Sequence, residues 1–347
     1  MRESILKFAD EFAWEPVIEN EALLARKEKI IVAGMGGSSL AADLLLAFRS
    51  FSEGGNTIDP ALNIMVHKNY GLPIYEVQPR KNEYLLVGIS YSGNTEETLD
   101  AFEEAGRWGM ARAAISKGGK LLERAREEGV AYIQLPASTR PASTRGEQGG
   151  PDTNIQPRMA TGFIMKALAA LLGFEALTKE LIALANILKP AEFEDRGRAL
   201  AERIRDGVPL IYASTRNQAI AYNWKIKFNE TGRIPAFCNV FPELNHNEMN
   251  GLSSQFYTII LRDSEDDPRI KKRMEALAEL YRDRGVRAEI IDFFGNTFLE
   301  RVFSSLLLAD WTALALAEIN GVDPSEVPIV EEFKKRIAYA SRVTNFP

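Results

Sequence analysis

The sequence predicts an α/β fold of two doubly wound domains, each with a parallel sheet flanked by helices. Short apolar runs alternate with helical stretches, and this rhythm specifies βαβ units. Two of the early runs end in Gly- or Ser-rich turns that open a helix. The same rhythm begins again at Pro209. The first domain is assigned to residues 1–175 and the second to 176–347.

In the first half, Lys29 to Ala33 (KIIVA) reads as a buried parallel strand, and Ser39 to Phe48 as the helix after it. Leu62 to Val66 is a second strand and Tyr84 to Ile89 (YLLVGI) a third, followed by the loop SYSGNT and an acidic helix. Ala111 to Ile115 and Tyr132 to Leu135 are strands, with a helix from Lys120 to Glu128 between them. From Pro136 the composition changes: PASTR occurs twice in tandem and a Gly-Gly-Pro follows, which reads as a surface loop insertion. Thr161 to Leu172 is a helix, and helical sequence continues to about Arg205.

In the second half, Pro209 to Ala213, Ala236 to Phe241, Phe256 to Leu261 and Ala288 to Phe293 read as strands. Asn217 to Thr231, Arg269 to Arg284 and Thr297 to Asn320 read as helices. Strand and helix order match the first half, while residue identity between the halves is weak.

Composition removes several function classes. There are 42 Lys and Arg against 48 Asp and Glu, a net charge of −6, which argues against a nucleic-acid partner. A single cysteine, Cys238, excludes an intramolecular disulfide framework, and two histidines, His67 and His246, leave little for a His-based zinc centre. The N-terminal stretch carries Glu3, Asp10, Glu11 and Glu15 where a signal peptide is apolar, and no uncharged apolar run has the length of a membrane span. The expectation is a cytoplasmic protein with no membrane partner.

Four segments carry possible chemistry. The turn Gly34-Met35-Gly36-Gly37-Ser38-Ser39 follows a strand and opens a helix, so its N–H groups suit an anion; a ligand-free tight turn is the other reading. It fails the dinucleotide fingerprint, since Ser39 stands at the third glycine position and the next strand ends without a ribose-binding acid. Ser90, Ser92 and Thr95 crowd the turn SYSGNT into a small oxyanion cradle without a lysine. Helix capping by Asn94 with Glu97 explains those two residues only. Glu230 lies off the apolar stripe Ile220, Trp224, Phe228, near the negative end of its helix, which suits a general base; a solvated surface Glu is equally compatible. His246, between two asparagines in a loop after a strand, is either a proton-transfer group or an exposed loop residue; His67 reads as structural.

Taken together, these residues resemble the sugar isomerase (SIS) superfamily and, within it, the bifunctional phosphoglucose/phosphomannose isomerases. The resemblance rests on GMGGSSLAADLL, GISYSGNTEETL, KFNETGR with PELNHNEMNGL, and DWTALALAEINGVDP, and runs from about Lys29 to Lys335. The SYSGNTEET loop alone marks a phosphosugar-binding SIS domain, whereas NETG paired with NHNE is specific to this isomerase branch.

The resemblance implies two SIS-type domains and metal-free, cofactor-free interconversion of glucose 6-phosphate or mannose 6-phosphate with fructose 6-phosphate. It places the substrate phosphate on Gly37, Ser38, Ser90, Ser92 and Thr95. Glu230 would move the proton between C1 and C2. His246, donated by the second subunit of a homodimer, would help open the pyranose ring. Arg158 would stabilise the enediolate, Thr312 would govern acceptance of the C2 epimer, and Lys334 would sit near the ring oxygen, with its neighbour Lys335 as a competitor. Glu96 and Glu97 would have to point away from the phosphate. The PASTR insertion loosens the alignment just before Arg158. A single-specificity or aminosugar-phosphate isomerase and a non-catalytic phosphosugar sensor are the rival readings; the failed fingerprint disfavours a nucleotide-dependent dehydrogenase.

Overall fold

A computed structural model describes residues 1–49, 63–137, 155–251 and 253–343. The tandem PASTR repeat beyond Ala137 lies outside them. The chain opens with a short helix α1 (Arg2–Leu6), a 3₁₀ turn (Phe8–Phe12) and a two-residue strand β1 (Ile18–Glu19). Phe8 and Phe12 sink into the core, their ring centroids 5.9 and 4.7 Å from that of Phe303.

The first sheet is then laid down by β2 (Lys29–Gly34), α2 (Gly37–Arg49), β3 (Asn63–His67), α3 (Ile74–Val77), β4 (Tyr84–Ile89), α4 (Glu96–Arg107), β5 (Ala111–Ser116), α5 (Gly119–Glu127) and β6 (Ala131–Gln134). Its order is β1-β6-β5-β4-β2-β3, parallel throughout except for the antiparallel β1 edge. All six residues of β4 are buried, which is why that strand reads as an unbroken apolar run.

Three helices follow: α6 (Thr161–Leu172), α7 (Glu175–Ile187) and α8 (Glu194–Ile204). The expected boundary at 175/176 falls on the first residue of α7. The second sheet comprises β7 (Val208–Ser214), β8 (Phe237–Phe241), β9 (Phe256–Arg262) and β10 (Arg287–Asp292), all parallel, in the order β10-β9-β7-β8. Its helices are α9 (Gln218–Glu230), α10 (Pro268–Asp283) and α11 (Phe298–Asn320), and a further helix, α12 (Pro328–Val343), ends the described chain.

Helix α11 is 23 residues long, with a mean hydropathy of 1.5 over its most apolar stretch, enough to cross a bilayer by length and composition. That stretch is 89% buried, so α11 is a core helix. One apolar cluster joins both halves, running from Ile30 through Phe163 and Trp224 to Leu316. The stripe read from the sequence, Ile220, Trp224 and Phe228, is fully buried in it, and the Trp224 indole N–H donates to Ser305 Oγ at 3.0 Å.

Each sheet has a topological switch point. In the first, β2 lies between β3 and β4; in the second, β7 lies between β8 and β9. Crevices for ligands in open α/β sheets form at the C-terminal ends of strands flanking such points.

Candidate active site

At the first switch point, β2 and β4 end side by side, with Gly34 opposite Ile89. The turn after β2 and the loop after β4 therefore meet. Ser38 Oγ accepts from the Tyr91 N–H at 3.0 Å and stitches the two together. Ser90 Oγ lies 2.8 Å from Thr95 Oγ1 and accepts from the Gly93 N–H at 3.0 Å. Ser92 is exposed at the rim. Gly93 has φ +74°, and a Cβ there would stand 1.7 Å from the Gly118 carbonyl oxygen, so only glycine fits. The loop is a compact set of hydroxyls in front of the α4 N-terminus, whose first N–H groups have no partner within the helix.

Asn94 does not cap α4. The helix begins one residue later than that reading needs, with Thr95 at the N-cap. The Asn94 side chain instead accepts from Lys120 N at 3.3 Å and donates to Ser92 O at 3.3 Å, tying the loop to α5.

Gly37 connects this cradle to the rest of the site. A Cβ on Gly37 would lie 2.7 Å from Arg158 N and 2.8 Å from Pro157 C, so the glycine is the surface on which the Arg158 turn rests. Arg158 sits in a 3₁₀ turn (Pro157–Met159) directly before α6 and is 1% exposed. Its Nε donates to Thr231 Oγ1 at 2.8 Å, one terminal nitrogen to Glu230 Oε2 at 3.3 Å, and the other to the Pro324 carbonyl at 2.6 Å. Burial pulls the guanidinium below its ordinary pKa, and the Glu230 and Asp310 carboxylates pull the other way. It stays a cation.

Glu230 is the last residue of α9, and a third of its side chain is exposed. The structure thus brings together Gly37, Arg158 and Glu230, with Ser38, Ser90, Ser92 and Thr95 on the adjoining turn and loop. Hydroxyls at a helix N-terminus, beside a partly open carboxylate that faces a buried cation, are groups that can hold an anion, remove a proton and stabilise an oxyanion.

Three other expected residues stand apart. His246 lies in a 3₁₀ turn (Glu243–His246) after β8, exposed and without a hydrogen-bond partner among the described residues. Its loop is nonetheless firmly held: Leu244 is fully buried, and Glu248 accepts from the Tyr212 hydroxyl at 2.7 Å and from the Asn239 amide. Helix α9 runs back from the C-terminal end of β7 over 13 residues, about 19 Å, to Glu230. The parallel strand β8 then returns the chain, so His246 follows the C-terminal end of the strands while Glu230 lies towards their N-terminal end. Thr312 is fully buried in α11, its hydroxyl donating to Leu308 O at 2.7 Å. Lys334 is exposed on α12 and pairs with Glu331 at 2.7 Å; its neighbour Lys335 is exposed too. His67 ends β3, with its Nε2 buried and unpartnered.

Several groups around Arg158 had no counterpart in the sequence reading. Lys227, on α9, donates to Asp310 of α11 at 2.5 Å and reaches the Arg158 carbonyl at 3.5 Å; both side chains are 2% exposed. Glu11, fully buried, accepts from Gly162 N at 2.9 Å and Phe163 N at 3.2 Å at the start of α6. The signal for these was present as charges inside apolar runs: Asp310 within LLLADWTALALA, and Lys227 beside Phe228.

Among the described residues, the second switch point holds no such cradle. The loop after β9 carries Asp266, whose carboxylate accepts from Ser214 Oγ, from Asn217 Nδ2 at 3.0 Å and from Asp263 N at 2.8 Å. The hydroxyl, amide and N–H groups at the ends of β7 and β9 are thus committed to the chain's own carboxylate. Arg301 braces Asp263 from α11 at 2.9 Å.

Residues 193–337 match the model of the bacterial phospho-glucose isomerase C-terminal SIS domain. A bifunctional phosphoglucose/phosphomannose isomerase of Aquifex aeolicus is 32% identical over 95% of this chain and 96% of its own. Another, from Thermoplasma acidophilum, is 35% identical over 89% of each chain. At 27% identity over 89% of each chain stands a D-glucosamine-6-phosphate 4-epimerase of Sulfolobus acidocaldarius. The fold is shared with the C-terminal domain of glucosamine-fructose-6-phosphate aminotransferase from Francisella tularensis, with a TM-score of 0.62 at 15% identity over 94% of this chain and 96% of that one. With full-length similarity at this level, the chain belongs to the family of bifunctional phosphoglucose/phosphomannose isomerases.

Proposed function

We propose that this enzyme interconverts glucose 6-phosphate and mannose 6-phosphate with fructose 6-phosphate by metal-free proton transfer. The observation that carries this reading is the convergence of Gly37, Arg158 and Glu230. The phosphate sits against Ser38, Ser90, Ser92 and Thr95, and the α4 N-terminus faces its charge. Binding energy from this remote group orients C1 and C2 over Glu230. The Glu230 carboxylate takes the proton from C2 of the open-chain aldose, giving a cis-enediolate, and returns it to C1 while the hydroxyl proton on O2 passes to O1, which leaves the ketone at C2. Arg158 stabilises the negative oxygen through the guanidinium N–H groups that its three protein partners leave over.

His246 opens the pyranose ring and acts from a second copy of the chain. The separation of His246 and Glu230 within one chain supports this, as does a firmly tethered loop that ends in an unpartnered imidazole. The working enzyme is then a cytoplasmic homodimer. Thr312 tunes acceptance of the C2 epimer, and Lys334 on α12 approaches the ring oxygen.

The test is conversion of fructose 6-phosphate in the presence of a chelator, with glucose 6-phosphate and mannose 6-phosphate quantified separately and glucosamine 6-phosphate run in parallel. Both hexose products are expected, and Glu230→Gln is expected to abolish turnover by about 10²-fold or more while fructose 6-phosphate still binds. Glucose 6-phosphate alone would remove the epimer claim. Residual turnover with lost binding in Glu230→Gln would overturn the base assignment.

A further inference from the structure

We infer that Asp310, through Lys227, is a positioning residue for the Arg158–Glu230 pair: it holds the ammonium that in turn holds the turn carrying Arg158. This rests on the assignment of Glu230 as the base. Arg158 and Lys227 are both 1% exposed and both reach the turn that carries Arg158: the guanidinium faces Glu230, and the ammonium faces the Arg158 carbonyl. Asp310 supplies the counter-charge to Lys227: its Oδ1 accepts from the ammonium, and its Oδ2 is buried with no hydrogen-bond partner among the described residues.

Burial pushes the Asp310 carboxyl up, and Lys227 and Arg158 pull it back down. The charged groups around this cluster come from four elements: Lys227 and Glu230 on α9, Arg158 before α6, Asp310 on α11, and Glu11 in the N-terminal turn. Arg233, just past α9, adds a further positive charge near Arg158. Glu11 is held by the α6 N-terminus and burial raises its pKa well above the ordinary value, so it offsets the two cations less effectively than Asp310.

The network also fixes position. Gly37 supports the Arg158 turn from one side, Glu11 anchors the helix that follows it, and Lys227 holds its carbonyl. Asp310 is what holds Lys227 at that carbonyl, because it is the only side chain bonded to the ammonium among the described residues.

Two variants test this. Asp310→Asn keeps the shape and removes the charge that holds Lys227. Its expected signature is a kcat lower by about tenfold at an unchanged KM for fructose 6-phosphate. Lys227→Met with Asp310→Leu removes the pair with no net change of charge and is the variant that keeps the fold if the single substitution does not. There kcat is expected to fall likewise at an unchanged KM, since the carbonyl anchor is lost. If either variant retains full kcat, or loses activity only through a rise in KM, the inference fails. A failed Glu230→Gln test removes the base itself, and that outcome is read from the Glu230 variant alone.

Discussion

Gly37→Ala is the substitution that tests whether the hydroxyl cradle and Arg158 form one site. An added Cβ would stand 2.7 Å from Arg158 N, 2.8 Å from Pro157 C and 2.9 Å from Arg158 Cα. Ordinary contact begins near 3.4 Å, so the shortfall is about 0.7 Å, and every neighbour is backbone. No side chain can swing aside; either the turn after β2 or the Arg158 turn must move. Overpacking of this kind costs about 1–3 kcal/mol, read as a fall of a few degrees in Tm. Moving the Arg158 guanidinium by a comparable distance from the reacting carbons costs about 10- to 100-fold in kcat. Gly36→Ala is the internal control. It lies one residue away at φ +51° with nothing within 4 Å, so it carries only backbone strain of about 1 kcal/mol and leaves kcat near the parent value. The assays are scanning calorimetry and steady-state turnover of fructose 6-phosphate for both variants. Parent-like kcat and Tm in Gly37→Ala, or equal losses in the two variants, would refute the reasoning that the cradle and Arg158 work as a unit.

Two further outcomes are expected. Glu230→Gln and His246→Ala chains, each inactive alone, should recover about a quarter of parent activity when denatured, mixed and refolded in equal amounts, because half of the dimers then carry one intact site; no recovery would place both residues in the same chain's site. Thr312→Val removes the hydroxyl that bonds Leu308 O while nearly keeping the volume. It should lower the mannose 6-phosphate share of the product at an almost unchanged rate of glucose 6-phosphate formation, measured by separate end-point assays, and an unaltered product ratio would release Thr312 from its role.

The strands were legible because the sheet is parallel and covered on both faces, which writes each strand as an unbroken apolar run: YLLVGI is β4, with all six residues buried. The meeting of Ser90, Gly93 and Thr95 was legible because they lie within six residues of one turn, so local chemistry alone brings them together. Glu230 could be read from its place at the end of α9. The opening segment was not legible as structure. Nothing local indicates that Glu11 crosses to the α6 N-terminus, 151 residues away in sequence. Asn94 was misread for the same kind of reason, since its capping pattern is local while its real partner, Lys120 N, lies on the next helix.

The same contrast accounts for the two switch points. Both sheets place a strand-to-helix turn beside a second loop, and the backbone plan is repeated. In the first sheet those loops offer hydroxyls and glycines, and the charge they can hold must come from outside. In the second, Asp266 carries its own negative charge to Ser214, Asn217 and Asp263 N, and so satisfies the donors that a phosphate would otherwise take. One buried aspartate thus ties the second loop to its own strands, whereas in the first loop the hydroxyls of Ser90 and Thr95 face each other at 2.8 Å with no carboxylate bonded to them among the described residues.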